Sequence, residues 1–234
     1  MHLHEENKII ELKDVVIGYD QHIVLPGVNL KINKRDFIAI TGPNGGGKTS
    51  LLRVILGLLK PKCGDVKFFE NGKEVDKLNI GYLPQKNAID HRFPITVEEV
   101  LGSGLLKKKI IFNNKLTEEE NSKVDEILAI LGLADYRNSS IGNLSGGQLQ
   151  RVLFGRSIIA NPDVLVLDEP LSYVDKTFEG QFYKIVEDLA KKTTIILVSH
   201  EMTRIMQMAN RHIIVDCGIE DCHAHKHYVK SECE

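Results

Sequence analysis

Phe37-Ile38-Ala39-Ile40-Thr41-Gly42-Pro43-Asn44-Gly45-Gly46-Gly47-Lys48-Thr49 is followed at once by Leu51, Leu52, Ile55 and Leu59. The apolar run 37–40 reads as a buried strand, the glycines as a loop, and the recurrence at three and four residues as a helix. Residues 42–49 also match G-x-x-x-x-G-K-T, and a strand before and a helix after are the context that motif requires. Gly42, Pro43, Asn44, Gly45, Gly46 and Gly47 let the backbone wrap so that successive N–H groups and the helix N-terminus, with Ser50 in its first turn, face phosphate oxygens. Lys48 is expected to reach the β- and γ-phosphates of a nucleotide, and the Thr49 hydroxyl to face Mg²⁺, a cation that takes oxygen ligands. A glycine turn with no ligand is the bland alternative, and the flanking elements argue against it.

Working outward, Val164-Leu165-Val166-Leu167 and Ile195-Ile196-Leu197-Val198 are two more short apolar runs of the kind found in parallel strands covered on both faces. The first ends in Asp168-Glu169, two carboxylates at the strand rim where open α/β sheets bind ligands. Asp168 suits the Mg²⁺ shell, and Glu169 suits orientation and deprotonation of an attacking water. Residues 9–17 and 23–32 alternate as strands of an edge sheet. Residues 88–145 read instead as a helical subdomain: Thr117 and Glu120 have capping-box spacing, Val124, Ile127, Leu128 and Leu131 follow at helical intervals, and Gly132 ends the element. Leu144-Ser145-Gly146-Gly147-Gln148, leading into Leu149, Val152, Leu153 and Ile159, is a second glycine-rich helix start and a second anion-site candidate.

The 234 residues are 42% hydrophobic and 26% charged, which disfavours disorder, collagen and coiled coil. The longest apolar run is Ile127 to Leu131, far short of the roughly 20 residues that span a bilayer as a helix. The first residues carry acids and no basic start, which reads as a cytosolic chain without a secretory signal. A formal charge of −2 gives no broad footprint for nucleic acid. Cys63 stands alone while Cys217, Cys222 and Cys233 fall near the end, unlike a disulfide framework. Together with His223, His225 and His227, the last three cysteines offer thiolate and imidazole ligands suited to Zn²⁺. A His-rich flexible end is the alternative for residues 217–234. His2 and His4 carry little information.

The sequence resembles the nucleotide-binding subunits of ATP-binding-cassette (ABC) transporters, carried by the phosphate loop and the pentapeptide Leu144–Gln148 and extending from about residue 9 to residue 215. The resemblance implies an α/β fold with a P-loop NTPase core (7–87 and 146–216 of a domain 1–216), an antiparallel edge sheet and the inserted helical subdomain. It implies Tyr19 stacking on adenine, Gln85 in catalysis and on Mg²⁺ with Thr49 and Asp168, Ser172 and Asp175 in the loop after the second carboxylate, and His200 after a strand. Catalysis is expected from Glu169, His200, Lys48 and Gln85. The family pairs two such domains head to tail, so that Ser145, Gly146, Gly147 and Gln148 of one cover the γ-phosphate in the other. Tyr173 departs from the small residue commoner in the family.

Within the family, residues 90–100 and the Gln148–Arg151 run look most like subunits of zinc or manganese importers. That likeness implies an ATP-hydrolysing subunit peripheral on the cytoplasmic face of the cell membrane, with separate permease subunits docking on the helical subdomain. Lys107-Lys108-Lys109 there reads as a solvated face, or as a neighbour of anionic headgroups. A free-standing cytosolic ABC ATPase that remodels a protein or ribonucleoprotein assembly is the competing reading, and an interaction module tethered to a membrane complex is a third.

Overall fold

Residues 37–40 form a strand in the computed structural model, which describes residues 7–85, 93–105, 116–172, 176–199 and 202–223. The elements run β1 (Lys8–Tyr19), β2 (His22–Asn33), β3 (Phe37–Thr41), α1 (Lys48–Ile55), β4 (Cys63–Glu70), β5 (Lys73–Val75), β6 (Ile80–Leu83), α2 (Val97–Ser103), α3 (Glu118–Ile130), α4 (Gly146–Ile158), β7 (Val164–Asp168), α5 (Lys176–Ala190), β8 (Thr194–Val198), α6 (Met202–Met208), β9 (Arg211–Val215) and β10 (Ile219–His223). The chain divides into two units, Met1–Leu78 with Thr194–Glu234, and Asn79–Thr193.

In the first unit, β2-β1-β4-β5 form an antiparallel sheet, the edge sheet expected from the alternation. Its register sets Ile10 opposite Ile32, Leu12 opposite Leu30 and Val15 opposite Val28. All six are buried, so the sheet is held by apolar pairs directly across the strands. Strand β3 lies between β8 and β9, parallel to both, and β10 closes antiparallel on β9. Residues 37–40 and 195–198 are all buried, which is why these runs lack a polar face.

Arg211 anchors this arrangement. Its guanidinium is buried, donates to the Lys31 carbonyl at 2.7 Å and pairs with Asp36 and Asp221, each at 2.5 Å. Strand β9 is thereby fixed to the turn before β3 and to β10. The alternative of a flexible end for residues 217–234 does not hold for Ile219–His223, which are a strand, pairing from Ile219 with Val215 to His223 with Arg211. The reason is local: Asp216, Cys217 and Gly218 make a turn, with the Asp216 N–H donating to the Gly218 carbonyl at 3.1 Å, and Asp221 then meets Arg211.

In the second unit, β6 and β7 pair in parallel from Ile80 with Val164 to Leu83 with Leu167. The described elements between 93 and 145 are helical. Thr117 caps α3 with the expected capping box, and Thr96 and Glu99 cap α2 likewise. Val124, Ile127, Leu128 and Leu131 are buried. Arg137 joins the two helices, donating to Glu98 at 3.0 Å and Asn121 at 2.7 Å and pairing with Asp125.

Arg211→Met removes the cation between two acids and leaves the half-buried Asp36 without it. Breaking a buried pair from one side typically destabilises by 3–5 kcal/mol; with Asp221 partly exposed, a loss of about 3 kcal/mol is expected, read from the urea midpoint.

Candidate functional site

The phosphate loop is packed against β9. A β-carbon at Gly42 would lie 2.0 Å from the Val215 carbonyl oxygen, and one at Gly46 2.6 Å from the same atom. Gly42 also takes φ +138°, a left-handed conformation that L side chains rarely adopt. Part of this glycine content therefore answers to the strand behind the loop, and the Cys217 N–H adds a bond to the Gly46 carbonyl at 3.2 Å. None of these contacts belongs to the nucleotide motif, and no residue-type pattern at 215–217 announces them.

Lys48 is 8% exposed and donates to the Gly42 and Pro43 carbonyls, both at 2.8 Å. An ammonium has three donors, so the loop fixes the charge with two and retains one for an anion. Helix α1 starts at Lys48 on Gly47, with no side-chain cap and no acid in its first turn. Its orphan N–H groups and positive dipole end are thus offered to a negative ligand. The residues present fit a phosphate chain.

Tyr19 ends β1 and is 38% exposed. Its hydroxyl lies 3.3 Å from Ser50 Oγ and accepts from Arg53 Nη1 at 3.2 Å. The Ser50 contact and then the Arg53 guanidinium hold the phenol below the ordinary tyrosine range. The phenol edge is tied to α1 while the ring keeps exposed area for a stacking partner. Ser50 and Arg53 thus act on Tyr19, a pairing that sequence spacing did not reveal.

The second unit carries the carboxylates. Asp168 ends β7 at 2% exposure. Glu169 follows with φ +49°, and its carbonyl accepts from the Ser172 N–H at 3.2 Å. A left-handed backbone is uncommon for a residue with a β-carbon, and here it turns the chain sharply off the strand. Gln85, just past β6, donates from Nε2 to Glu169 Oε2 at 2.7 Å. That leaves the amide oxygen as the Gln85 atom suited to a hard cation. The Gln85 amide oxygen and the Asp168 carboxylate are both hard oxygen donors of the kind Mg²⁺ takes. Gln150, buried on α4, donates to the Pro170 carbonyl at 3.1 Å and holds the same turn.

Ser145 and Gln148 form a capping box on α4: Ser145 Oγ accepts from the Gln148 N–H at 3.2 Å, and Gln148 Oε1 accepts from the Ser145 N–H at 2.9 Å. The Ser145 hydroxyl acts there as acceptor, so its own proton remains to be donated. Gly146 and Gly147 form the first turn of α4.

Asp175, Tyr173, His200, Asp90–Arg92, Lys107–Lys109, His225, His227 and Cys233 lie outside the described residues, as does the side chain of His223. Among the described residues no three His, Cys, Asp or Glu side chains are grouped to hold a metal ion, and no helix is long and apolar enough to cross a membrane. Cys217 is exposed and Cys222 half-buried. A groove of about 400 Å³ in the helical part is lined by Phe93, Ile95, Val100, Ile141, Leu153 and Arg156, with Phe93 60% exposed.

A glycine loop on a parallel strand, an uncapped helix start with a fixed lysine, and a buried strand ending in two carboxylates define a phosphate-loop nucleotide-binding protein. The ABC transporter family model matches residues 25–172. A high-affinity zinc uptake system ATP-binding protein of Bacillus subtilis is 38% identical over 213 residues, 90% of this chain and 92% of that protein. A zinc uptake system ATP-binding protein of Listeria innocua is 36% identical over 95% of this chain and 90% of its own length. The dimeric structure of a bacterial ABC transporter cassette superposes with a TM-score of 0.79 at 25% identity, covering 94% of this chain and all of that one. The chain belongs to the ABC transporter family. Its fold is the ABC ATPase fold expected from the resemblance, and ATP and Mg²⁺ are the ligands that membership implies.

Gly46→Ala should weaken binding of a fluorescent ATP analogue at least tenfold, because the new methyl meets the Val215 carbonyl. Gly45→Ala, which meets nothing within 4 Å but takes on left-handed strain of about 1 kcal/mol, should cost several-fold at most.

Proposed function

We propose that this chain is the ATP-hydrolysing subunit that powers a multi-subunit importer of divalent metal ions, with zinc the favoured cargo and manganese the near alternative. The observation that carries the hydrolytic part is the 2.7 Å bond from Gln85 to Glu169, which holds a carboxylate in a defined orientation beside the Asp168 strand end. The cargo rests on likeness to the zinc uptake ATP-binding proteins of Bacillus and Listeria.

The roles follow from the chemistry of each group. Lys48 and the first-turn N–H groups of α1 bind and neutralise phosphate oxygens. Tyr19 stacks on the base. Thr49, Asp168 and the Gln85 amide oxygen hold Mg²⁺, which when bound neutralises charge on the phosphates. Glu169 accepts the proton of the attacking water, and His200 and Asp175 complete the set from sequence resemblance. A second copy is placed head to tail, its Ser145 hydroxyl donating to the γ-phosphate and Gly146, Gly147 and Gln148 supplying the helix start. Such closure excludes water and fixes geometry, the two things phosphoryl transfer needs most.

The groove around Phe93 and Ile95 supports docking of the membrane permease on the helical part, because an exposed aromatic beside an apolar recess suits a partner's side chain. The subunit then sits on the cytoplasmic face of the membrane by attachment. Zn²⁺ on the C-terminal cysteines and histidines belongs to the same reading.

Glu169→Gln should retain ATP binding, lower turnover at least about a hundredfold and accumulate a dimer with ATP on size exclusion; near-normal turnover would remove Glu169 from the role of base. Lys48→Ala should weaken ATP binding within one chain, whereas Ser145→Arg should spare it and block dimer formation. Equal loss of affinity in both would contradict a site shared between two copies. Uptake of radioactive zinc by the assembled complex, abolished by Glu169→Gln and outcompeting manganese, checks the cargo.

A further inference from the structure

Helix α4 makes two contacts with the chain that follows β7. Gln150, 2% exposed, donates from Nε2 to the Pro170 carbonyl at 3.1 Å. Arg151, the next residue, sets its guanidinium over the buried Phe178 ring of α5, 4.5 Å from the centroid. The helix therefore holds the chain on both sides of the turn at Glu169. That turn is strained: Glu169 takes φ +49°, which a residue with a β-carbon rarely adopts, and the proline after it narrows its choice further. Such a backbone persists only where its surroundings over-determine it. The Ser172 N–H closes the turn on the Glu169 carbonyl at 3.2 Å, and Gln150 satisfies the carbonyl of the buried Pro170. A buried carbonyl has no water to fall back on, so this one directs the peptide toward the donor it has.

We propose that Gln150 is a positioning residue for hydrolysis: through the Pro170 carbonyl it fixes the turn from which the Glu169 carboxylate points, while Gln85 holds the carboxylate itself. The inference rests on the reading of Glu169 as the base. An amide suits this task. A buried lysine or arginine would also satisfy the carbonyl, but its charge near Glu169 would favour the ionised carboxylate and weaken it as a proton acceptor. Glutamine supplies the N–H with no charge. The bond also anchors the turn on the helix whose start carries Ser145, about one and a half turns earlier.

The test measures ATP turnover by the full-length chain. Gln150→Met keeps the length and the burial and loses the donor: kcat should fall at least about tenfold, with KM for ATP and affinity for a fluorescent ATP analogue within about twofold of wild type. Gln150→Glu regains a donor only while its carboxyl is protonated, and burial raises that carboxyl above the ordinary range. Its kcat relative to wild type should therefore be highest near pH 6 and decline toward pH 9. In the Glu169→Gln background, followed by release of labelled phosphate over hours, Gln150→Met should add no more than about a twofold loss, because residues acting through one group are not additive. Gln181→Met, which removes an exposed glutamine-to-carbonyl bond to Ile130, should change neither constant. Unchanged kcat in Gln150→Met overturns the inference. So does an equal loss of kcat and ATP affinity, which assigns Gln150 to general folding, and so does a full tenfold further loss in the Glu169→Gln background. If Gln150→Met does not fold, the pH profile of Gln150→Glu decides, and a ratio to wild type that is flat with pH overturns the inference. The role of Glu169 is read separately: near-normal turnover of Glu169→Gln removes the base, whereas a slow Glu169→Gln beside a normal Gln150→Met removes Gln150 alone.

Discussion

The contact between the phosphate loop and the end of β9 constrains the nucleotide half of this protein. The Val215 carbonyl lies against the α-carbons of Gly42 and Gly46, leaving no room for a side chain at either position. Lys48, from the other side, donates to the Gly42 and Pro43 carbonyls. The loop is thus braced by a strand behind it and a buried ammonium within it. Pre-ordering of this kind lowers the entropy lost when a phosphate chain is bound. It also explains why a strand far along the sequence matters to a motif near its start: Arg211, at the other end of β9, pins that strand to Asp36 and Asp221.

The second unit shows a related economy of groups. One side chain, Gln85, holds Glu169 with its amide nitrogen and leaves the amide oxygen without a role in that bond. Ser145 and Gln148 serve the start of α4 by capping each other's backbone. Because the serine oxygen accepts in that box, its proton is available to a phosphate without loss of the cap. Capping of the helix and donation by the serine hydroxyl therefore do not compete for the same lone pair or proton.

Much of this was legible in the sequence. The runs 37–40, 164–167 and 195–198 are buried on both faces, and unbroken apolar runs of that length have few other uses. Thr117 with Glu120 and Ser145 with Gln148 had cap spacing, and capping is decided within four residues. The strands β4, β5 and β6 were not read, because most of Cys63–Glu70 is exposed and its pairing with β1 supplies what its own pattern lacks. Strands β9 and β10 were missed for a similar reason. Arg211, His212, Asp221 and Cys222 look like surface residues until the pairing of the buried Arg211 with Asp36 and the cross-strand register place them. The contacts of Tyr19 with Ser50 and Arg53, and of Gly46 with Val215 and Cys217, are between residues 31 or more positions apart. No local pattern encodes them.

The end of the chain shows how composition misleads when pairing partners are unseen. From Cys217 onward the residues are polar, and polarity alone argues for a solvated end. Yet β10 needs no apolar face of its own, because its stability comes from the ladder to β9 and from Asp221 meeting a guanidinium already buried. Once Ile219–His223 are read as a strand, Cys217 and Cys222 cease to be equivalent. Cys217 sits in the turn with its N–H on the phosphate loop, whereas Cys222 faces His212 across the ladder. The histidine in turn bears on Thr41, the last residue of β3. A cysteine-rich stretch that composition treats as one object is thus divided by register into a brace for the nucleotide loop and a cross-strand pair beside the end of β3.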